Sequence, residues 1–117
     1  MDLTNNLKQL GLSDYEALIY STLLKNTPLG ASNIAKSCGL ARSSVYTTLN
    51  KLMSKGLVGI TYKNEIKQFM AEDISTLEQI LTNEKEKLAQ KFKIIGETKK
   101  NLKRSPTSLN VPKNNFL

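Results

Sequence analysis

Ile34-Ala35-Lys36-Ser37-Cys38-Gly39-Leu40-Ala41-Arg42-Ser43-Ser44-Val45 is the stretch on which the fold turns. Ala31, Ile34, Ala35 and Cys38 share one face of a short helix, and Gly39 stops it. A second helix follows at once, from Arg42 to Lys55. Val45, Leu49, Leu52 and Met53 point inward along it, and Gly56 closes it. Two short helices joined by a tight, glycine-containing turn make a helix-turn-helix. The geometry asks for particular residues at three places. Ala35 is small enough for the second helix to cross closely, Gly39 accepts a positive φ at the turn, and Val45 plugs the angle between the helices. An ordinary helical corner satisfies the same pattern, so the motif alone does not settle function.

Working outward, Leu57 to Tyr62 and Ile66 to Ala71 read as two strands. Val58, Ile60 and Tyr62 alternate with Gly59 and Thr61, and Lys63-Asn64-Glu65 makes the turn. A helix-turn-helix followed directly by such a ribbon is the winged variant. Upstream, Leu3, Leu7 and Leu10 suggest a short first helix ending at Gly11. Ser13-Asp14-Tyr15-Glu16 is a capping box. The helix it opens carries Tyr15, Leu18, Ile19, Thr22 and Leu23 on its expected buried face and ends near Asn26, ahead of Thr27-Pro28. After Asp73, an N-cap candidate, a long polar helix runs to Leu102. The expected fold is therefore mainly α with a small β-hairpin, a winged helix-turn-helix with a long C-terminal helix. Residues 1–73 form the winged domain, 74–102 the long helix, and 103–117 a disordered tail of proline, serine and asparagine.

Composition excludes several functions. The 117 residues carry a formal charge of +7 and a pI near 9.6, which suits a polyanionic partner. The single cysteine, Cys38, rules out an intramolecular disulfide and a cysteine-rich zinc site. It is expected to be a small buried core residue, since a redox-sensing thiol needs exposure. Histidine is absent, which removes the commonest general base and metal ligand. There is no glycine-rich phosphate loop, and Asp14 and Glu16 are accounted for as helix-start residues that complement the dipole. No enzyme activity, metal or cofactor is expected. No stretch approaches the roughly 20 apolar residues of a membrane span, and Met1-Asp2-Leu3-Thr4-Asn5 lacks the features of a signal peptide. A cytoplasmic location without a membrane partner is the expectation.

The apolar stripe of the second helix of the motif leaves Ser43, Ser44, Thr47, Asn50 and Lys51 facing away from the core. The N-terminal residues of a recognition helix are those that reach base edges. Serine and threonine hydrogen-bond several bases, asparagine reads adenine, and Arg42 reaches a guanine or a phosphate. Tyr46, at the stripe's edge, can pack its ring and offer its hydroxyl to a phosphate. Lys63 and Lys67 flank the wing turn as phosphate contacts. No acidic residue interrupts this face. A simple solvated surface is the bland alternative.

In the long helix Ile74, Leu81, Leu88, Ile95 and Leu102 recur every seven residues. Their heptad companions are Leu77, Glu84, Lys91 and Thr98, so the helix carries half a coiled-coil seam, with Ile80, Phe92 and Ile94 beside it. Such a helix cannot bury its far end on a small domain. A homodimer through Ile74, Leu77, Leu81, Leu88, Phe92 and Ile95 is the expected resolution. Most of the positive charge is here too: residues 1–73 carry a net +2 and residues 74–117 a net +5. That excess is either a solvated face or additional contact with DNA phosphates.

The sequence resembles the TrmB-type family of winged-helix transcriptional regulators. The residues that carry the match are Leu10-Gly11-Leu12-Ser13-Asp14-Tyr15-Glu16-Ala17, Ala35 to Tyr46, and Leu52-Met53-Ser54-Lys55-Gly56-Leu57-Val58. The resemblance implies binding of double-stranded promoter DNA through the helix of Arg42, Ser43, Ser44 and Tyr46, and dimers built partly through the helix after the wing. Many members carry a C-terminal effector domain, often for sugars; only residues 103–117 follow the last helix here, so no effector ligand is carried over. The wing is short and has no glycine at its tip, which disfavours deep minor-groove insertion. The alternative function is a winged-helix protein–protein interaction module without sequence-specific DNA binding. Against it, the Ser43-Ser44-Thr47 face lacks the large apolar anchors such an interface needs.

Overall fold

The computed structural model describes residues 2–104, so the tail expected over 103–117 lies almost wholly outside the described residues. The order of elements is α1 (Leu3–Gln9), α2 (Asp14–Lys25), α3 (Ala31–Cys38), α4 (Arg42–Ser54), β1 (Val58–Lys63), β2 (Ile66–Ala71) and α5 (Ser75–Arg104). The winged helix-turn-helix and the long last helix are both present.

Helix α2 is fixed at its start by the capping box. The Glu16 N–H donates to Ser13 Oγ at 3.2 Å, and the Ser13 N–H donates to Glu16 Oε1 at 2.9 Å. The same carboxylate oxygen accepts from Lys55 Nζ at 2.9 Å, which ties α2 to the end of α4. Burial alone would push the Glu16 carboxyl up; the hydrogen bonds from Ser13 and the ammonium of Lys55 outweigh it and hold the carboxyl below its usual 4.5. The buried face of α2 is rotated from the expected one. Glu16, Ala17, Ile19, Tyr20, Ser21 and Leu23 are buried, whereas Tyr15 is exposed. Leu10, past the end of α1, is exposed as well; Leu7 is the buried residue of that helix, and the Thr4 hydroxyl lies 3.1 Å from that of Ser21 in α2.

Helix α3 ends where the sequence says it must. Gly39 has φ +67°, a left-handed conformation that costs a side-chain-bearing residue about 1 kcal/mol. Its N–H bonds Ala35 O, and Leu40 N–H bonds the same carbonyl. Ile34, Val45, Leu49 and Leu52 fill the angle between α3 and α4 and are fully buried. Met53 and Cys38 are only half-buried; Cys38 Sγ lies 3.4 Å from Thr22 Oγ1, so the thiol sits at the core's edge.

The strands pair antiparallel in the register Val58↔Ala71 to Lys63↔Ile66. The turn is therefore only Asn64-Glu65, with φ of +51° and +65°, as a tight two-residue hairpin requires. Lys63 belongs to β1. Ile60 and Tyr62 share a face with Val58 yet are exposed, because the core covers only the base of the hairpin. Leu29 adds a third backbone pairing that periodicity gave no sign of, exchanging two hydrogen bonds with Phe69 at 2.9 and 2.7 Å. Tyr20 Oη donates to Glu72 O at 2.9 Å and anchors the exit of β2 on α2.

The chain forms two compact units that divide inside α5, at Glu78. Asp73 does act at the start of that helix, its carboxylate accepting from Ser75 N–H at 3.0 Å and from the Ser75 hydroxyl. The first turn of α5 belongs with the winged unit, where Leu77 is buried. From Leu81 to Lys103 every residue is exposed.

Candidate nucleic-acid interface

The site is the outer face of α4 with the hairpin beside it. Ser43, Thr47, Asn50 and Lys51 are exposed on α4, and Ser44 is half-buried. Thr47 Oγ1 donates to Ser43 O at 3.0 Å, which fixes its rotamer and leaves the oxygen's lone pairs outward. Arg42, in the first turn, is held by a frame that the sequence did not reveal. Its Nη1 donates to Ser32 Oγ of α3 at 2.9 Å and its Nη2 to Tyr46 Oη at 3.1 Å. The guanidinium carbon lies 5.7 Å from the centroid of the Tyr46 ring.

Tyr46 in turn meets Phe69 of β2 edge-on, with centroids 6.4 Å apart and planes at 75°. Lys67 Nζ lies 5.5 Å from the Phe69 centroid. Cation, ring, ring and cation thus form successive contacts from the helix to the wing. Ser32 and Phe69 are the residues that sequence reasoning missed. Neither stands out by periodicity, since the contacts join positions far apart in the chain.

Lys63 is exposed at the end of β1, next to the turn, and Lys67 faces Tyr62 across the hairpin. The electrostatics are one-sided. Between Glu16 and Glu65 there is no aspartate or glutamate, while Lys25, Lys36, Arg42, Lys51, Lys55 and Lys63 fall in that interval. It spans α3, α4 and β1. Counting acids along the sequence would have found it.

A cleft of about 490 Å³ lies beside this face, between the first turn of α2 and α4. Ser13, Asp14 and Tyr15 line one wall and Ser44, Thr47, Thr48 and Lys51 the other. Thr48 had no place in the sequence-based site, and it is buried.

The residues expected to pair two copies fall into two groups. Ile74, Leu81, Leu88, Phe92 and Ile95 are exposed, with Phe92 at 66%. Leu77 is 5% exposed and has no area to offer a partner, so it leaves that set and acts as the anchor of α5 in the winged unit. Among the described residues no group of acids and cysteine could hold a metal ion, and no helix is long and apolar enough to cross a membrane.

The architecture recurs in solved structures. The archaeal chromatin protein TrmBL2, reported with a novel mode of DNA binding, superposes with a TM-score of 0.81 over 94% of this chain and 43% of that one, at 19% identity. A MarR family protein from Bacillus stearothermophilus matches with a TM-score of 0.55 over 87% of this chain and 83% of that one, at 12% identity. These neighbours share the winged-helix fold of this chain. More narrowly, the chain belongs to the TrmB family: the model described as "Sugar-specific transcriptional regulator TrmB" matches residues 7–77. This is a family of regulators, not of enzymes.

Two curated relatives agree. The sugar-sensing regulator TrmBL1 of Pyrococcus furiosus is 36% identical over 61 residues, 52% of this chain and 18% of that protein. YrhO of Bacillus subtilis is 36% identical over 58 residues, 50% of this chain and 21% of that protein. The matched segment is thus about a fifth of the length of either relative.

Proposed function

We propose that this chain binds double-stranded promoter DNA sequence-specifically, as a homodimer, and regulates transcription from it. The observation that carries the reading is the acid-free, hydroxyl-rich face of α4, headed by an arginine whose guanidinium is already held in place. A preorganised side chain loses less entropy on binding than a free one. In this reading Arg42, Ser43, Ser44, Thr47 and Asn50 meet base edges in the major groove, and Tyr46 and Lys51 meet the flanking backbone. Lys63 and Lys67, on the wing, meet phosphates. Residues 1–73 do the reading and residues 74–102 pair the two copies. A two-fold protein presents its recognition helices about one helical turn apart, which asks for a pseudo-palindromic operator.

Selection from a random duplex pool tests this directly. An enriched motif with two related half-sites is the expected outcome, together with an affinity that falls steeply with salt, by roughly −0.9 in log–log slope per neutralised phosphate. Within that motif, Thr47→Ala should change base preference, whereas Lys63→Ala should weaken all duplexes alike. A pool that enriches nothing, with binding indifferent to salt, defeats the reading.

A further inference from the structure

A free arginine side chain samples many rotamers and gives them up when it binds. Arg42 is held beforehand, by groups from α3 and α4 with β2 behind them. We propose that Ser32 and Tyr46 are positioning residues that aim the Arg42 guanidinium at a guanine edge in the major groove. The first helix of the motif then sets part of the base preference without touching a base. The inference rests on the DNA-binding reading given above.

The kind of partner is the first sign. Arg42 Nη1 donates to Ser32 Oγ at 2.9 Å and Nη2 to Tyr46 Oη at 3.1 Å. Both acceptors are neutral hydroxyls, and Arg42 makes no ion pair among the described residues. A carboxylate in either place would fix the side chain as well, but it would oppose the phosphates of DNA with a charge of its own. Hydroxyls orient the fork and leave its charge whole. Of the five N–H groups of a guanidinium two are taken, and three remain for a ligand.

The rigidity of the frame is the second. Tyr46 stands one helical turn after Arg42, and its ring meets Phe69 edge-on with centroids 6.4 Å apart. Phe69 is 1% exposed, and its backbone exchanges hydrogen bonds with Leu29 at 2.9 and 2.7 Å. The tyrosine is therefore backed by a buried ring of the wing. Ser32 rides on α3, whose Ile34 is fully buried.

That rigidity selects the ligand. A phosphate can be approached from many directions and accepts a point charge on a mobile stem. Guanine presents O6 and N7 side by side in one plane, and it rewards a planar fork in a fixed orientation. Holding Arg42 in place serves the second contact far more than the first.

Selection from a random duplex pool, repeated with variants, tests the assignment. Base preference at each operator position, salt slope and melting temperature are read together. Arg42→Lys keeps the charge and loses the fork. It should lose a guanine preference of roughly fivefold to 150-fold at one position of each half-site, with the salt slope unchanged. Ser32→Ala leaves Arg42 in place and removes one acceptor. It should lower the preference for that same guanine by about twofold to tenfold, with the melting temperature unchanged. Tyr46→Phe should do likewise on top of a uniform loss of affinity, since its hydroxyl also meets the backbone. Ser32→Thr restores the hydroxyl and should restore the preference. In an Arg42→Lys background, Ser32→Ala should have no further effect at that position.

A Ser32→Ala protein that keeps the wild-type preference, changes it at another position, or weakens every duplex alike overturns the positioning role and leaves the DNA-binding reading standing. An Arg42→Lys protein that weakens all sequences equally overturns it too, and makes Arg42 a phosphate contact. A wild type that enriches no motif overturns both.

Discussion

Tyr20 shows how one side chain is made to serve two elements. Its ring is fully buried in the core, and its hydroxyl donates to the carbonyl of Glu72, where the chain leaves β2. Burial, with the carboxylates of Asp73 and Glu72 close by, pushes the phenol up from 10.0 to about 12. The folded protein thus prefers protonated Tyr20 more strongly than the unfolded chain does. Its contribution to stability is complete below pH 10 and is lost as the pH rises toward 12. Two pKa units correspond to roughly 2–3 kcal/mol. Urea unfolding at pH 8, 10 and 11.5 should show the wild type falling faster than Tyr20→Phe above pH 10, with the gap between the two narrowing. Parallel curves would mean that the phenol ionises as freely folded as unfolded. Glu16 works in the opposite sense: its depressed pKa makes the capping box and its bond to Lys55 a stabilising feature above the carboxylate range, lost on acidification.

At the scale of elements, the wing turn is where the sequence and the backbone disagree most. Asn64 and Glu65 both hold positive φ, a conformation that asparagine tolerates and glutamate does not favour. Glu65→Gly should therefore raise stability by about 1 kcal/mol, and the melting temperature of so small a domain by roughly 4–8 °C. Calorimetry on the two proteins decides it, and an unchanged or lower melting temperature would show that the turn is not strained. The strands around that turn were legible because alternation is a local signal, and so were the starts and stops of α2, α3 and α4, which rest on Ser13, Gly39 and Gly56. Alternation tells which side chains share a face, not whether anything lies over it: Ile60 and Tyr62 lie on the face of Val58 and are exposed. The Leu29–Phe69 pairing and part of the contact series around Arg42, Tyr46, Phe69 and Lys67 were invisible for a related reason. The Leu29–Phe69, Arg42–Ser32 and Tyr46–Phe69 contacts join residues that only the folded chain brings together, whereas Arg42–Tyr46 and Lys67–Phe69 are near neighbours on one helix and one strand. For the same reason α4's polar face could be read from the sequence, while Ser32 and Thr48 could not.

For the molecule as a whole the open question is what covers α5. The helix is 30 residues long, about 45 Å at 1.5 Å per residue, and only its first turn belongs to the winged unit. Leu81, Leu88, Ile95 and Leu102 repeat every seven residues along the remainder, all at 40% exposure or more. A soluble chain that leaves such a stripe bare invites association, and an identical stripe on a second copy is the partner of matching length and spacing. Each leucine buried contributes roughly 1.5–3 kcal/mol, and two-fold symmetry counts every position twice. Four positions therefore exceed the association cost, of order 4–15 kcal/mol, only if most of the row is engaged. Glu84, Lys91 and Thr98 interrupt the companion row, so the margin is small and a single charge in the seam should suffice to break it. Leu88→Glu should convert the protein from dimer to monomer at micromolar concentration, as read by light scattering. The winged unit should keep its melting transition, because Leu88 lies outside it. Operator affinity should fall in step with dimer loss, since one recognition helix then reads one half-site. A wild type that is already monomeric, or a Leu88→Glu protein that remains dimeric, would remove this stripe as the pairing surface.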